Sequence, residues 1–381
     1  MPYYYRGVSY LQGYKLFFSL KPKTDIRNLY DREFEISELE NSLSKKEPII
    51  VVSGIRRVGK TSLVRAYLNS RSIPYIWIDF RSALVDENYV DDQEITRQLE
   101  KGLSSLLPRH KKLKEGLKAI SGISIFGVSV KFSEAVRQST IISILETLDK
   151  IARERVIIVL DEAQYLRFLR QLNLLNIMAY AYDNLQNIGF ILTGSEVGLL
   201  EEYLKLDDPT SPLYGRFIRV IKVKRFTKEQ AMDYLVKGFK EAKMTPDISH
   251  IESIVDALDG IVGWLSLYGY IAVDKGNPNL PYDVFKERAF KLIKSELDKL
   301  LKKSKYYKLI LKAIALGNTA WSEIKEYIEY KLKRRINDST LARYLKKLVK
   351  HSIIRRKEKG RKIQYEFEDH LIKSYAKTLK T

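Results

Sequence analysis

One octapeptide restricts the possible folds of this 381-residue chain more than any other segment. Residues 54–61 read GIRRVGKT, which matches the pattern G-x-x-x-x-G-K-[ST]. The glycines are needed because backbone N–H groups must turn inward onto phosphate oxygens, where a Cβ atom would collide. The run EPIIVVS before the octapeptide has the character of a buried strand, and TSLVRAYLN after it has helical spacing. This order of strand, loop and helix predicts a phosphate-binding loop.

The residues of this loop have separate predicted roles at a bound nucleotide. Lys60 can reach the β- and γ-phosphates, where it also contributes to catalysis, and the Thr61 hydroxyl can bind Mg²⁺. The start of the following helix adds partial positive charge. We predict nucleotide contacts along the loop and the first helical turn, from Gly54, Ile55, Arg56, Arg57, Val58, Gly59, Lys60, Thr61 and Ser62.

The run VIIVLDEAQYL supplies the carboxylates that a hydrolytic nucleotide site requires. Asp161, at the end of an apolar strand, is the predicted Mg²⁺ residue. Glu162 follows it and is the predicted general base, placed to polarise the attacking water. The alternative is that both carboxylates only end a strand and cap the next helix.

Two further catalytic candidates follow along the chain. ILTGSEVGLL ends a strand in hydroxyl side chains, and Ser195 is predicted to touch the γ-phosphate or the lytic water. The alternative is a polar turn in which Ser195 caps the next helix. Arg216 precedes the last strand and is a candidate to reach a γ-phosphate, either its own or that of a neighbouring subunit. A solvated surface arginine is the alternative.

Apolar strands alternate with helical patterns up to Phe226, which favours a parallel sheet covered on both faces. The fold class predicted is therefore α/β: a three-layer αβα P-loop NTPase with a mostly parallel sheet, followed by a helical lid and a winged helix-turn-helix. The domain boundaries predicted are an N-terminal arm at 1–24, the P-loop domain at 25–225, the lid at 226–300 and the winged helix at 301–381.

The charge of the chain is concentrated in its last segment. The net charge is +20, and residues 301–381 hold 23 Lys and Arg against 8 Asp and Glu. This segment reads as three helices and a two-stranded wing, and its charge favours a polyanionic partner such as double-stranded DNA. Thr340 and Arg343 are predicted to reach base edges, and phosphate contacts are predicted from Lys346, Lys347, Arg356 and Lys357. Docking of a protein partner is the alternative, because winged helices serve both functions.

Composition narrows the remaining possibilities. The chain has no cysteine and four scattered histidines, so a structural zinc site is not expected. No apolar run approaches the length of a membrane span, and the aromatic N-terminus lacks a secretory cleavage site. We therefore expect a cytoplasmic protein without a membrane partner.

These motifs together resemble the archaeal ATPases of the STAND branch, which are related to AAA+ proteins and distantly similar to origin-recognition ATPases. The matching segments run in family order from Leu29 to about Gly269: LYDREFEISEL, GIRRVGKTSL, IDFR, VIIVLDEAQYL, ILTGSEVGLL, PLYGR and GIVGWLSLYG. The resemblance implies ATP as the nucleotide, a helical lid and a C-terminal winged helix. It also implies that Tyr30 and Arg32, with Gly263 and Trp264 of the lid, border the adenine.

The resemblance carries one departure and one reassignment. Family members usually have proline two residues before the lid tryptophan, where this chain has Val262. Through the family, Arg56 and Arg57 are loop residues that contact neighbouring domains. The function expected is a slow Mg²⁺-dependent ATPase switch whose nucleotide state positions a DNA-binding winged helix. The alternative is an ATP-bound module that does not hydrolyse and whose winged helix docks a protein partner. A homo-oligomer is a further candidate partnership.

Overall fold

The structure is a computed structural model that describes residues 17–86, 89–108, 111–152, 154–360 and 362–380. In these ranges the strands are β1 (Ile49–Ser53), β2 (Tyr75–Asp79), β3 (Leu84–Asp86), β4 (Tyr89–Val90), β5 (Ile123–Phe126), β6 (Ser129–Phe132), β7 (Val156–Asp161), β8 (Ile188–Gly194), β9 (Arg219–Lys222), β10 (Ile354–Lys359) and β11 (Lys362–Phe367). The helices of the first part are α1 (Glu33–Ser44), α2 (Lys60–Ser70), α3 (Asp92–Leu106), α4 (Lys111–Lys118), α5 (Gln138–Ile151), α6 (Leu174–Asn184) and α7 (Val197–Leu204). The later helices are α8 (Lys228–Glu241), α9 (Ile248–Leu258), α10 (Val262–Asp274), α11 (Tyr282–Lys303), α12 (Lys305–Ala315), α13 (Trp321–Leu332), α14 (Asp338–Lys350) and α15 (His370–Ala376).

The central sheet is parallel, with strand order β2-β7-β8-β1-β9. All residues of β1, β7 and β8 are buried, as expected for strands covered on both faces. The register places Ser53 beside Gly194, and Asp79 beside Asp161. The carboxyl ends of these strands therefore meet along one edge of the sheet, where the polar motifs lie.

Alternate residues of each strand build the two other layers of the domain. Ile50 and Val52 pack into a cluster with Leu39 of α1 and Leu63 of α2. Ile49 and Val51, which point to the opposite face, join a larger cluster with α3, α5 and α6. This arrangement confirms the three-layer αβα class.

Helices α8 to α11 form the lid, and a residue of the N-terminal segment completes its core. Phe18 is only 1% exposed, and its ring fills the space over two helical glycines. A Cβ atom at Gly238 would lie 2.1 Å from the Phe18 ring, and one at Gly269 would lie 2.5 Å from it. The glycines of α8 and α10 are therefore needed to seat this ring.

The last unit is a winged helix built from α12, α13, α14 and the antiparallel hairpin β10–β11. Leu341, Leu345 and Leu348 form the buried face of α14, as their spacing predicts. One continuous apolar cluster runs from the lid into the winged helix, and α11 crosses the boundary predicted at residue 300. The two units therefore share a core.

Short elements account for most differences from the sequence-based assignment. The helical pattern from Gln93 to Lys118 is divided into α3 and α4, with Pro108 between them. The hairpin β3–β4 and the helices α6 and α15 were not predicted, whereas the hairpin β5–β6 around Gly127 was. Arginine 361 of the wing and most of the predicted N-terminal arm lie outside the described residues. Among the described residues, no helix is both long and apolar enough to cross a membrane.

Candidate nucleotide-binding site

The phosphate loop has the backbone conformation that its glycines predict. Gly54 has φ +152°, and a Cβ atom there would lie 2.4 Å from the carbonyl oxygen of Val223. Gly59 has φ +98° and directly precedes α2. Only glycine tolerates these two environments without strain, so the loop closes around an inward-facing concavity at the start of α2.

Lys60 is the first residue of α2 and is held inside the loop. Its Nζ donates hydrogen bonds to the carbonyl oxygens of Gly54, over 2.9 Å, and Ile55, over 2.8 Å. Burial lowers the pKa of Lys60 to about 8, although the nearby carboxylates of Glu162 and Asp161 raise it. The loop therefore carries a buried ammonium group that is preorganised by its own backbone.

A hydroxyl and a carboxylate meet beside Lys60. The Thr61 Oγ1 donates to Asp161 Oδ1 over 3.1 Å, and the Thr193 hydroxyl of β8 donates to the same oxygen. Burial raises the pKa of Asp161 to about 6. The described residues contain no group of three or more His, Cys, Asp or Glu side chains that could hold a metal ion. One hydroxyl and one carboxylate fit Mg²⁺, which keeps several of its waters and binds substrate phosphates.

Glu162 lies at the end of β7 in the left-handed conformation, with φ +56°. Its Oε2 accepts hydrogen bonds from Ser195 Oγ and Gln164 Nε2, each over 2.6 Å. Burial raises the pKa of Glu162, but the charge of Lys60 and these hydrogen bonds outweigh it, so the pKa lies below its usual range. Glu162 is therefore an ionised carboxylate held by two donors, and the sequence had not indicated Gln164.

The geometry also decides between the two interpretations of Ser195. Glu196, and not Ser195, occupies the N-cap position of α7. The Ser195 side chain is 1% exposed and points to Glu162. The helix-capping alternative is therefore wrong for Ser195, which lies beside the predicted general base.

A cavity of about 500 Å³ opens from the phosphate loop between the ATPase domain and the lid. Its lining includes these predicted residues: Tyr30, Arg32, Arg57, Val58, Gly59, Lys60, Thr61, Ser62, Glu162, Gly263 and Trp264. Phe226, Tyr234 and the segment 19–23 also line it, although the sequence had not assigned them. The described end of the N-terminal arm therefore forms part of the cavity wall, tied down by the hydrogen bond from Lys23 N to Ser62 Oγ.

Two predicted adenine neighbours have structural contacts of their own. The Tyr30 hydroxyl donates to Asp233 of α8, and burial raises its pKa. The Arg32 guanidinium is buried and donates to the carbonyl oxygens of Val58 and Lys224, over 3.1 and 3.0 Å. Arg32 therefore supports the back of the phosphate loop while it lines the cavity.

The two loop arginines contact other parts of the protein. The Arg57 guanidinium lies 3.9 Å from the ring centre of Trp264 and pairs with Glu296 of α11. Its carbonyl oxygen accepts a hydrogen bond from Gly263 N over 2.8 Å, which joins the loop to the lid. Arg56 donates to Glu196 over 2.7 Å and does not line the nucleotide cavity in the described part of the chain. The structure thus does not support the predicted nucleotide contact of Arg56.

Gly54 and Ile55 also lie outside the cavity lining and act through the carbonyl oxygens that hold Lys60.

Arg216 lies at the wrong edge of the sheet to reach its own nucleotide. Strand β9 runs parallel to β1, so the residues before Arg219 lie at the amino edge, whereas the phosphate loop follows the carboxyl edge. Arg216 pairs with Asp183 over 2.5 Å, at the end of α6. The cis alternative for Arg216 is therefore wrong for this conformation, and two alternatives remain: contact with a neighbouring subunit's nucleotide, and a surface arginine.

The predicted DNA-binding residues divide into two groups. Arg343, Lys346, Arg356 and Lys357 are exposed, and Thr340 is half-buried near the start of α14. Lys347 instead lines a cavity between α14 and the ATPase domain. There the last turn of α14 docks onto α7, through the ion pair Lys350–Glu202 at 2.6 Å and the hydrogen bond from Val197 N to Ser352 Oγ at 3.2 Å.

The parallel sheet, the glycine loop at its carboxyl edge and the Thr61–Asp161 corner define the class of this protein as a P-loop NTPase with a C-terminal winged helix. Residues 29–267 match the family model described as an ATPase domain predominantly from Archaea, and the chain belongs to that family. Residues 300–366 match the model of the MCM protein C-terminal winged helix-turn-helix domain. The resemblance noted in the sequence is thereby confirmed.

Proteins similar to this chain include two of solved structure and one curated sequence. The Walker-type ATPase paby2304 of Pyrococcus abyssi is 36% identical, with a TM-score of 0.81 over 95% of this chain and 99% of that chain. Cdc6p from Pyrobaculum aerophilum is 17% identical, with a TM-score of 0.48 over 95% of this chain and 97% of that chain. The uncharacterized protein MJECL04 of Methanocaldococcus jannaschii is 29% identical over 199 residues, which are 49% of this chain and 39% of that protein. This chain thus spans well under half the length of that relative.

Proposed function

We propose that the protein binds ATP with Mg²⁺, hydrolyses ATP slowly, and uses its nucleotide state to position a winged helix that binds double-stranded DNA. The observation that carries the proposal is a pair of consecutive residues after β8. Ser195 donates to Glu162 over 2.6 Å, whereas Glu196 contacts Arg56 of the phosphate loop and lies 3.3 Å from His351 after α14. A change at Glu162, the proposed general base, would thus reach the winged helix through Ser195 and Glu196.

In this proposal each side chain of the nucleotide site has its own chemical role. Lys60 exchanges the carbonyl oxygens of its loop for phosphate oxygens, and Thr61 with Asp161 would hold Mg²⁺, which offsets phosphate charge. Glu162 accepts a proton from the attacking water. Its two hydrogen-bond donors and its lowered pKa make it a weak base, which supports low turnover.

Single-turnover hydrolysis of radiolabelled ATP tests the catalytic part. We expect the wild type to hydrolyse ATP and Glu162→Gln to be slower by about 100-fold or more, with ATP affinity retained. Gln164→Glu is not a suitable control, because it places a second carboxylate against Glu162. Glu201→Gln, an exposed change on the neighbouring helix α7, is the matched control and should hydrolyse ATP like the wild type. Equal, near-background rates for wild type and Glu162→Gln would exclude Glu162 as a working base.

The exposed cations support the DNA-binding part. Arg343 and Lys346 on α14, and Arg356 and Lys357 on the wing, are exposed. Phosphate contacts of this kind release counterions, so we expect affinity for duplex DNA to fall steeply with salt.

Charge reversal to glutamate at Arg343, Lys346, Arg356 and Lys357 tests these exposed cations in a salt titration of DNA binding. We expect the four changes to abolish retention on duplex DNA. The matched control reverses four exposed lysines elsewhere, at Lys45, Lys240, Lys243 and Lys275, and should retain most of the affinity. Unchanged retention of the first variant would refute DNA binding by the winged helix.

A second candidate function follows from the docked position of α14. Its last turn already contacts α7, so part of the face available to DNA is covered by protein. This contact favours the alternative in which the protein holds ATP without hydrolysis and its winged helix docks a protein. Two results together would support that alternative: no DNA binding at any salt concentration, and hydrolysis of ATP by the wild type no faster than the background rate.

A further inference from the structure

An open groove of about 800 Å³ lies where the carboxyl end of β9 meets the wing. The ATPase domain contributes residues 222–227 to its lining, together with the start of α7. The winged helix contributes the end of α14 and the start of β10. Gly54 and Ile55 of the phosphate loop line it as well. We call this space the interdomain groove, because both domains form its walls.

Cations outnumber acids on the lining of the interdomain groove. Its charged residues are the cations Lys222, Lys224, Arg225, Arg355 and Arg356 and the acids Glu201 and Glu368. Glu368 pairs with Arg225 over 3.2 Å and lies 3.8 Å from Arg355. The surplus of positive charge therefore comes from both domains: from the end of β9 in the ATPase domain, and from the wing.

The two lysines of the ATPase domain project from a backbone that is fixed on the sheet. Val223 N, between them, donates to Ser53 O over 2.8 Å, and Lys224 O accepts from Arg32 over 3.0 Å. Val223 is 3% exposed and packs in the core, so alternation along the extended chain turns Lys222 and Lys224 outward. Neither lysine has an ion pair with an acid of the described residues. Lysines on an edge strand can prevent pairing with other chains, but Lys224 lies beyond β9 and has no such role.

The position of these lysines indicates the chemistry of a partner. Arg356, one of the phosphate contacts predicted on the wing, lines the same groove as Lys222 and Lys224. The cations available to DNA therefore continue from the wing onto the ATPase domain. A duplex carries one phosphate charge per about 1.7 Å of its axis, so it can engage cations on both walls at once. Lysine contacts phosphate as a point charge, which positions DNA without reading its sequence.

We propose that the interdomain groove holds one backbone strand of a DNA duplex bound by the winged helix, with Lys222 and Lys224 in contact with its phosphates. This inference rests on the proposed function, because it requires the winged helix to bind DNA. The arrangement in which α14 docks onto α7 is then the one that binds DNA. The bound backbone lies beside Gly54, whose carbonyl oxygen holds Lys60 of the nucleotide site.

A salt titration of binding between the full chain and a fluorescein-labelled blunt duplex, followed by fluorescence anisotropy, tests the two lysines. Each phosphate contact contributes about 0.9 to the slope of log affinity against log salt concentration. We therefore expect Lys222→Gln with Lys224→Gln to lower that slope by about 2, and to weaken binding by about tenfold or more at about 50 mM salt. Lys240→Gln with Lys243→Gln, at two exposed lysines of the lid, is the matched control and should keep the wild-type slope.

Gly198→Leu tests whether the docked arrangement is the one that binds DNA. A Cβ atom at Gly198 of α7 would lie 3.0 Å from Lys350 Cα, so a leucine there moves α14 away without changing any charge. We expect this variant to bind the duplex about fivefold or more weakly, because its two cationic walls separate. Urea unfolding shows that the variant is folded. Equal or tighter binding of the duplex by Gly198→Leu would overturn the proposal.

The charge-reversal variant at Arg343, Lys346, Arg356 and Lys357 separates this inference from the proposed function. Loss of duplex binding in that variant, together with a wild-type slope for Lys222→Gln with Lys224→Gln, would overturn the groove proposal alone. Absence of salt-dependent duplex binding by the wild type would overturn both proposals, and it would favour an acidic protein as the partner of the groove.

Discussion

The buried hydrogen bond between Trp264 and Asp369 joins the lid to the winged helix, and its removal gives the sharpest prediction. Trp264 Nε1 donates to Asp369 Oδ2 over 2.7 Å, and both side chains are buried. The other carboxylate oxygen of Asp369 accepts from the backbone N–H of Leu371, over 2.8 Å, at the start of α15. Trp264 also lines the nucleotide cavity, so this bond links the nucleotide wall to the winged helix.

The cost of losing the bond follows from these two contacts. Asp369→Ala removes a helix cap worth about 1 kcal/mol. It also leaves the Trp264 N–H buried without an acceptor, at a cost of about 1–3 kcal/mol. Burial raises the pKa of Asp369, so removal of the charge recovers part of that cost. We expect a net loss of about 2–3 kcal/mol in the free energy of unfolding.

Asp369→Asn separates the two contributions. The amide oxygen keeps the cap, but its NH₂ group then faces the Trp264 N–H, so two donors oppose each other. We expect a loss of about 1–2 kcal/mol. Trp264→Phe removes the second donor, so the double variant Asp369→Asn with Trp264→Phe should be more stable than the sum of the single changes predicts.

Urea unfolding followed by far-UV circular dichroism measures these differences, with a double-mutant cycle for the pair. The expected coupling energy is about 1–2 kcal/mol. Glu287→Gln, an exposed change on α11, is a control that should leave the midpoint near its wild-type value. Two results together would refute the reasoning: a loss below about 0.5 kcal/mol for Asp369→Ala, and a double variant whose loss equals the sum of the two single losses. Mutations at distant, independent sites add to within about 0.5 kcal/mol, so such a result would mean that the two side chains do not interact.

Three further predictions concern the loop, the lid and the effect of pH. Gly54→Ala should abolish ATP binding, measured by calorimetry, because its Cβ atom would lie 2.4 Å from the Val223 carbonyl oxygen; full affinity would contradict the loop geometry. Val262→Pro should raise the free energy of unfolding by about 0.5–1 kcal/mol, because residue 262 is the first of α10, where proline is favoured. The raised pKa of Asp369 means that the native state binds this proton more tightly than the unfolded state does. The stability of the wild type relative to Asp369→Asn should therefore rise as the pH falls toward the usual aspartate pKa, and a flat or opposite trend in urea midpoints would contradict the shift.

The parts of the site that lie close along the chain could be predicted from the sequence. The glycines, Lys60 and Thr61 fall within one strand, loop and helix, and their positions follow from local backbone requirements. Asp161 and Glu162 were identifiable because the end of an apolar parallel strand must lie at the same edge as the loop. Local pattern and sheet geometry were sufficient for these residues.

Contacts between distant segments could not be predicted. In the sequence, the whole lid lies between Glu196 and His351. The residues around either of them give no indication that the two side chains are in contact. Whether Arg216 could reach its own nucleotide depended on the edge of the sheet at which its loop lies. Its place before β9 did not determine that edge until the register showed that β9 runs parallel to β1. Helix α15 has seven residues, too few for a clear periodic pattern.

The residues between the glycines of the phosphate loop explain how one short segment can contact several parts of the protein. The loop turns its backbone N–H groups inward, so the side chains between its glycines point away from the phosphates. Arg56 thereby reaches Glu196, next to the winged helix, and Arg57 reaches Trp264 and Glu296 of the lid. Under the proposed function, a shift of the loop backbone upon phosphate binding would displace both contacts together. Phosphate binding does not require particular side chains at Arg56 and Arg57, and these two residues connect the phosphate loop to other parts of the protein.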